Sequence, residues 1–325
     1  MRKRKHIKDV IFYGLILILV LVMLYSGLQI LESTVFYSGE EVGFVSRTLT
    51  REDGEYFPRQ DITTVLVMGI DRFGPVEDSE SYNNPGAADM VMLLIFDEAN
   101  EVCDLLYLNR DTMVEMPVLG IGGRQAGTWY GQLALSHNYG SGLEDSCENT
   151  RNTVSSLLYG VDIDYYVAMH MDAISILNDA VGGVTVTVTE DFSQVDPTIH
   201  QGVMQLNGDQ ALHYVRTRAE VGDQLNLSRI QRQQGYVDSF AVAFREASEG
   251  NETFIVDTYN AIAPYLVTDC SMNAITGMID RYSDYTVREV VSPAGENVLG
   301  EEYFEFYLDE EALDDLILRL FYAPK

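Results

Sequence analysis

The chain predicts an α/β fold: one layered domain on a mixed central sheet, preceded by a single transmembrane helix. Three observations carry this. Apolar, β-branched runs at 63–68, 90–96, 102–108, 165–169 and 184–188 alternate with helical stretches at 149–159 and 172–180, the pattern that packs helices on a sheet. Only Asp97-Glu98-Ala99-Asn100 separates the second and third runs, so those strands form a hairpin and the sheet is mixed. Val10 to Leu28 runs nineteen residues without a charge, and at about 1.5 Å per helical residue such a run reaches across a bilayer core of about 30 Å.

Taken in order, the chain opens on Arg2, Lys3, Arg4, Lys5 and Lys8, a basic head at 1–9. Positive charge before a first span holds that end in the cytoplasm. The membrane helix is placed at 10–31 and everything beyond it outside the cell. A cleaved signal peptide competes with this reading, but the run is longer than such peptides use and no A-x-A-like site follows. Residues 32–60 lack helical or strand period and are expected to form a connector to a domain at 61–325. The whole chain of 325 residues, 46% hydrophobic, can build a sizeable core.

Formal net charge is -29, and after Asp9 the 16 remaining basic residues face 49 acids. Nucleic acid is therefore not an expected partner, because its non-specific binding comes from basic side chains neutralising phosphates. Cys103, Cys147 and Cys270 form no C-x-x-C pair, and outside the membrane one disulfide with one free thiol is possible. The five histidines form no metal-spaced motif. Gly120-Ile121-Gly122 is followed by Gln125 where a dinucleotide fingerprint needs its third glycine. Neither a P-loop nor a G-x-S-x-G elbow occurs, which disfavours ordinary NTPases and serine hydrolases.

The strand at 63–68 runs into Gly69-Ile70-Asp71-Arg72, and Asp89 stands just before the second run. Asp71 and Asp89 thus flank two strands and could meet at a carboxyl edge, where open α/β sheets hold ligands; pairing with Arg72 and Arg110 is the plainer alternative. The third run delivers Asn109-Arg110-Asp111 to its end. Gly182-Gly183 breaks the chain before the alternating strand at 184–188, and Asn207 and Gln210 have capping-box spacing. A short helix should follow, then an extended 215–218 with Arg216 and Arg218 on one face. The next helix is expected to start between Asp223 and Ser228 and reach about Ala247, with Arg229, Arg232, Gln233 and Tyr236 on one stripe and Val237, Ala241 and Phe244 toward the core. Four guanidiniums within residues 216–232 either meet protein carboxylates or hold a phosphorylated ligand. Residues 250–325 are expected to complete the core.

These pieces resemble the LytR-CpsA-Psr family of membrane-anchored cell-wall enzymes. The matching stretches are VLVMGID at 65–71, AADMVMLL at 87–94, LYLNRDTMVEMP at 106–117, YGVDIDYYVAMHMDAISILNDAVGGVTVTV at 159–188, and LNGDQALHYVRTR with GDQLNLSRIQRQQ within 206–234. The resemblance implies a single α/β/α-layered domain that binds a polyprenyl pyrophosphate-linked glycopolymer, with its lipid in a hydrophobic groove and its pyrophosphate under arginines with Mg2+. It further implies transfer of the sugar-phosphate chain to a peptidoglycan muramic acid hydroxyl at the cytoplasmic membrane. By motif position it gives catalytic roles to Arg110, Arg216, Arg218 and Asp223. Pyrophosphate contacts fall to Arg110, Arg216, Arg218, Arg229, Arg232 and Gln233, and metal ligation to Asp71 and Asp89. Ala87 and Gln132 stand where many members carry a basic residue. A non-catalytic polyprenyl-phosphate binder and an envelope scaffold or signalling ectodomain remain alternatives.

Overall fold

The computed structural model describes residues 48–325 except 52–53, 80–81, 121, 218–220, 222–225, 252, 272–273, 275–276, 279–280, 283 and 301–302. The expected basic head (1–9), membrane helix (10–31) and most of the connector (32–60) lie outside the described residues. Among the described residues no helix is long and apolar enough to cross a membrane. Apart from the N-terminal stretch, the chain gathers into two compact units, one of 48–170, 266–270 and 287–325, the other of 171–265 and 271–286.

In the larger unit β1 (Leu49–Arg51) and β2 (Gly54–Pro58) are followed by β3 (Ile62–Ile70), β4 (Ala88–Asp97) and β5 (Val102–Leu108). Then come the hairpin β6 (Met113–Leu119) and β7 (Gln125–Gln132), a 3-10 helix at Leu133–Asn138, α1 (Glu144–Leu157) and β8 (Tyr165–His170). Its later elements are β11 (Leu266–Thr268), β12 (Thr286–Val291), β13 (Gly295–Leu299), β14 (Phe304–Leu308), α6 (Glu310–Phe321) and β15 (Tyr322–Pro324). A six-stranded sheet in the order β11-β8-β3-β4-β5-β12 is its centre. β3 is parallel to β8 and antiparallel to β4, and β4 is antiparallel to β5, so the expected mixed sheet and the 97–100 hairpin are both present. Val65 to Met68 are all buried, the continuous apolar run of a strand covered on both faces. Leu66, Met68, Leu93, Ile95, Leu106 and Leu108 share a core with Cys147 and Val154 of α1 and with Leu313, Ile317 and Leu320 of α6.

Several boundaries differ from expectation for local reasons. The first helix begins at Glu144 rather than Asn149 because its N-cap is Leu143, which carries no capping oxygen to announce it. Residues 49–51 and 54–58 are strands rather than connector, the first pairing with the second and the second with the C-terminal β15, a partner hundreds of residues away. The cysteines form no disulfide: all three are buried free thiols. At the sheet end away from Asp71, the fully buried Asp97 accepts from Arg59 Nη1 (3.1 Å) and pairs with Arg288 Nη1 (3.2 Å), while Arg288 Nε donates to Asp104 Oδ1 (2.8 Å). Burial opposes ionisation of Asp97, but the Arg59 pair and the Asn100 amide outweigh it and hold the carboxyl at about 2.

The smaller unit contains α2 (Asp172–Ala180), the antiparallel pair β9 (Val184–Val188) and β10 (Gly202–Leu206), α3 (Gly208–Arg216), α4 (Asn226–Ser248) and α5 (Phe254–Ile262). Gly183 has φ +97, and a Cβ there would sit 2.9 Å from the Leu206 carbonyl, so this turn admits only glycine. Asn207 and Gln210 form the expected capping box, each side chain accepting from the other's backbone N–H at 3.0 Å. The extended 215–218 is corrected: α3 continues through Arg216 and the chain becomes extended only at Thr217. Tyr236, Phe240, Ala241 and Phe244 are the buried positions of α4, whereas Val237 is half-buried.

Candidate functional site

One edge of the six-stranded sheet collects the strand-end residues. β3 ends beside the start of β4, Ile70 pairing with Ala88, and the start of β4 lies beside the end of β5, Val91 pairing with Leu108. Asp71, Asp89 and Arg110 therefore reach the same edge. The register shifts at Gly69/Ile70, and the Ala87 carbonyl accepts from both Asp71 N (2.9 Å) and Asp89 N (3.1 Å). Two carboxylate-bearing residues are thus pinned to one backbone oxygen.

Arg110 Nη1 is ion-paired with Asp89 Oδ1, and its Nε lies 3.4 Å from Asp111 Oδ1. That second contact lacks hydrogen-bond geometry and leaves Arg110 Nε buried without a partner among the described residues. Gln132 Nε2 donates to Asp111 Oδ1 (3.1 Å) and to the Phe304 carbonyl (2.8 Å). The position read as a lost basic residue is an amide that holds the neighbour of Arg110 in place.

Two residues at this edge are not among the expected site residues, Arg72 being expected only as a pairing partner for the aspartates. Arg72 is half-buried and forms no ion pair among the described residues, and its stem lies so close to Gly86 that a Cβ there would come 2.9 Å from Arg72 Cγ. Its signal was its position directly after a strand-end aspartate. His170, aligned with Ile70 by the parallel β3–β8 register, meets the Gly74 carbonyl through Nδ1 at 2.9 Å, which ties down the loop after Asp71. That loop is also held by Asn84, whose amide reaches His137 O (2.7 Å) and Ser146 Oγ (3.1 Å) and whose Oδ1 accepts from Gly86 N (2.8 Å).

Mg2+ takes hard oxygen donors and commonly uses one or two protein carboxylates, completing its shell with water and substrate phosphates. Asp71 and Asp89 supply that donor type. Among the described residues no group of three or more His, Cys, Asp or Glu side chains is gathered for a metal, so a cation here would take most of its shell from water and substrate oxygens.

The second arginine group lies in the smaller unit, and its members have different surroundings. Arg232, 5% exposed, pairs with both oxygens of Glu190 at 2.8 Å and donates from Nε to the Tyr214 carbonyl (3.1 Å) and from Nη2 to the Thr217 carbonyl. Its guanidinium also lies 5.4 Å from the Phe192 ring centroid. Gln233 Nε2 donates to the Val215 carbonyl at 3.0 Å. Both side chains therefore satisfy carbonyls at the C-terminal end of α3, which a helix leaves without internal partners. For Arg232 the expected pyrophosphate contact is replaced by an internal one, because Glu190 and the helix end take up its donors. Arg216, the last residue of α3, is exposed. Arg218 and Asp223 lie outside the described residues, and Arg229 is placed in the first turn of α4 without a described side chain. A cavity of about 440 Å³ between the α2–β9 turn, with the adjoining end of β10, and the later part of α4 is lined by Gln205, Ser239 and Glu246 as well as Val181, Val242 and Ala243, a lining too polar for the expected polyprenyl groove.

The fold and the site thus define a mixed-sheet α/β domain that gathers carboxylates and an arginine at one strand edge. The LytR_cpsA_psr family profile matches residues 41–316, and the chain belongs to that family. An uncharacterized protein of Staphylococcus aureus is 28% identical over 251 residues, 74% of this chain and 56% of that protein; the chain thus spans little more than half of that relative. The polyisoprenyl-teichoic acid–peptidoglycan teichoic acid transferase TagU of Oceanobacillus iheyensis is 24% identical over 322 residues, covering 95% of this chain and 92% of TagU. Among solved structures, Lin1025 of Listeria innocua superposes with a TM-score of 0.55 at 26% identity, over 80% of this chain and 97% of that one.

Proposed function

We propose that this protein transfers a glycopolymer from a polyprenyl pyrophosphate carrier to peptidoglycan, outside the cytoplasmic membrane to which residues 10–31 tether it. The observation that carries the reading is the Asp89–Arg110 pair beside Asp71 at the sheet edge. The family and the likeness to TagU support it.

In this reaction a muramic acid hydroxyl oxygen forms a bond to the glycan-linked phosphorus. The bond from that phosphorus to the bridging oxygen breaks, polyprenyl phosphate leaves, and the hydroxyl proton passes to solvent. The protein's share is alignment and charge stabilisation on non-bridging oxygens. Arg110 and Arg72 are the described cations that the sheet edge offers for that purpose. Asp71 and Asp89 would hold Mg2+, which would supply Lewis-acid stabilisation of the phosphoryl oxygens. The Arg110–Asp89 pair is partly exposed on both sides, 29% and 22%, and such pairs contribute only about 0–1 kcal/mol. Exchanging it for a phosphate on the arginine and a cation on the aspartate therefore costs little.

The test uses the full chain in detergent with synthetic lipid-linked glycan and peptidoglycan fragments. Arg110→Ala should weaken carrier binding about ten- to a hundredfold, the loss of one charge-assisted contact. Asp89→Asn should retain most carrier binding but form little phosphodiester product. Transfer that persists in Asp89→Asn and with chelator would remove the metal role. Tight carrier binding without transfer by the wild type would replace the enzyme with a carrier-binding module.

A further inference from the structure

A second surface adjoins the site through Asp111 and Thr112. Phe306 N donates to the Asp111 carbonyl (2.8 Å), Thr112 bridges Phe306 in parallel, and Gln132 binds the Phe304 carbonyl. The hairpins β6–β7 and β13–β14 are thereby joined along the segment that begins one residue from Arg110.

Strand alternation decides what each face shows. In the first hairpin Glu115 lies opposite Tyr130 and Met113 opposite Gln132, so these side chains share a face. In the second, Glu296 lies opposite Tyr307 and Val298 opposite Glu305. The parallel bridge matches Phe306 with Thr112, which sends Tyr307 and Glu305 to the side that carries Tyr130 and Glu115. Tyr130 is 56% and Tyr307 41% exposed. The Tyr307 hydroxyl donates to Glu305 Oε2 at 2.6 Å, and Glu115 and Glu305 stand on the same side as the two rings. The two tyrosines therefore belong to one patch.

We propose that this two-hairpin face docks the uncharged glycan of the acceptor, its pyranose rings stacking on Tyr130 and Tyr307 and its hydroxyls donating to Glu115 and Glu305. An aromatic face is the negative part of the ring's quadrupole, and sugar C–H groups present the matching positive edge. Ionised carboxylates only accept, and hydroxyls are donors. Glu115, Glu296 and Glu305 disfavour a polyanionic polymer and an anionic lipid surface alike, which selects the neutral glycan over the donor polymer and the membrane. Continuity with Arg110 through Asp111 places this surface beside the transfer site. The inference rests on the transferase reading above.

The chain's single tryptophan, Trp129, is exposed beside Tyr130 on β7 but pairs with Met116 and so turns to the other face, which leaves isothermal titration calorimetry as the readout of occupancy. The probe is chitohexaose, a soluble chain of β-linked N-acetylglucosamine, titrated into the full-length protein in detergent. Wild type should give a saturable heat change. Tyr130→Ala and Tyr307→Ala should each weaken binding roughly three- to tenfold, as expected for loss of one aromatic contact. Tyr130→Phe and Tyr307→Phe should stay near wild type, and Glu305→Gln should weaken binding without removing a ring. No saturable change in wild type, or alanine variants that bind chitohexaose as wild type does, overturns the proposal. Unchanged chitohexaose affinity with lost binding to phosphatidylglycerol vesicles, or with altered oligomeric mass, reassigns the face to the membrane or to a second copy. Carrier affinity, measured without glycan, should be unaffected by the tyrosine variants and reduced by Arg110→Ala. Carrier affinity insensitive to Arg110→Ala sinks the transferase reading while leaving the chitohexaose result independently legible.

Discussion

Arg232 and Arg110 look alike in the sequence, and their surroundings give them different work. Arg232 is enclosed by Glu190, Phe192 and two carbonyls at the C-terminal end of α3, while Arg110 sits half-exposed on a single strong partner, Asp89. Asp238 on α4 is a third kind of residue, a half-buried carboxyl whose Oδ1 has no partner among the described residues. Burial alone pushes it up to about 6. An acid raised in the folded state costs no stability below its unfolded pKa near 4, and the cost grows until pH passes the folded value. Asp238→Asn should therefore raise stability at pH 7.5, by about 1 kcal/mol after allowance for solvent screening. The gain should vanish near pH 4, and paired melting curves at the two pH values decide the matter.

Among elements, α3 shows how a short helix is held at both ends. Its N-terminus is closed by the Asn207–Gln210 box and its C-terminus by Arg232 and Gln233 from α4. A nine-residue helix is marginal alone, so these ends and its buried face set the position of Arg216. Arg232→Met leaves Glu190 without its buried partner, and breaking such a pair costs about 3–5 kcal/mol. The expected outcome is a large drop in denaturant midpoint. Weaker carrier binding with an unchanged midpoint would return Arg232 to direct ligand contact.

For the molecule as a whole, the dominant electrostatic fact is an acidic excess, -29 overall. Self-repulsion of this kind destabilises a compact state, and lowering pH or adding salt relieves it. Asp238 and Asp269, both raised to about 6 by burial, add stability as pH falls through that range. His137, buried and held down to about 4 chiefly by that burial, works the other way, losing stability as pH falls below about 6.5. Asp97, held at about 2, keeps its contribution above about 4 and loses it as pH falls toward 2. Calorimetry should accordingly find Tm higher at pH 5 than at pH 7.5, a smaller difference in 0.5 M salt, and a steep decline below pH 4. A Tm that falls steadily from pH 7.5 to 5 would show that His137 outweighs the acids and the net charge.

The linear chain by itself determined the strands whose apolar runs are uninterrupted, the hairpin with a four-residue connection, and the capping box, because each is settled by neighbours within a few positions. It also determined the family, through motifs in order, and so named Asp71, Asp89 and Arg110 as residues to be brought together. Tertiary structure alone decided that Arg232 and Gln233 cap a helix, that Gln132 braces Asp111, that β2 pairs with the C-terminal strand, and that two hairpins form one face. Each of these depends on partners between about 15 and 270 residues away, and a guanidinium's donors go to whichever acceptors the fold brings within about 3 Å. Spacing along the chain carries no record of that distance.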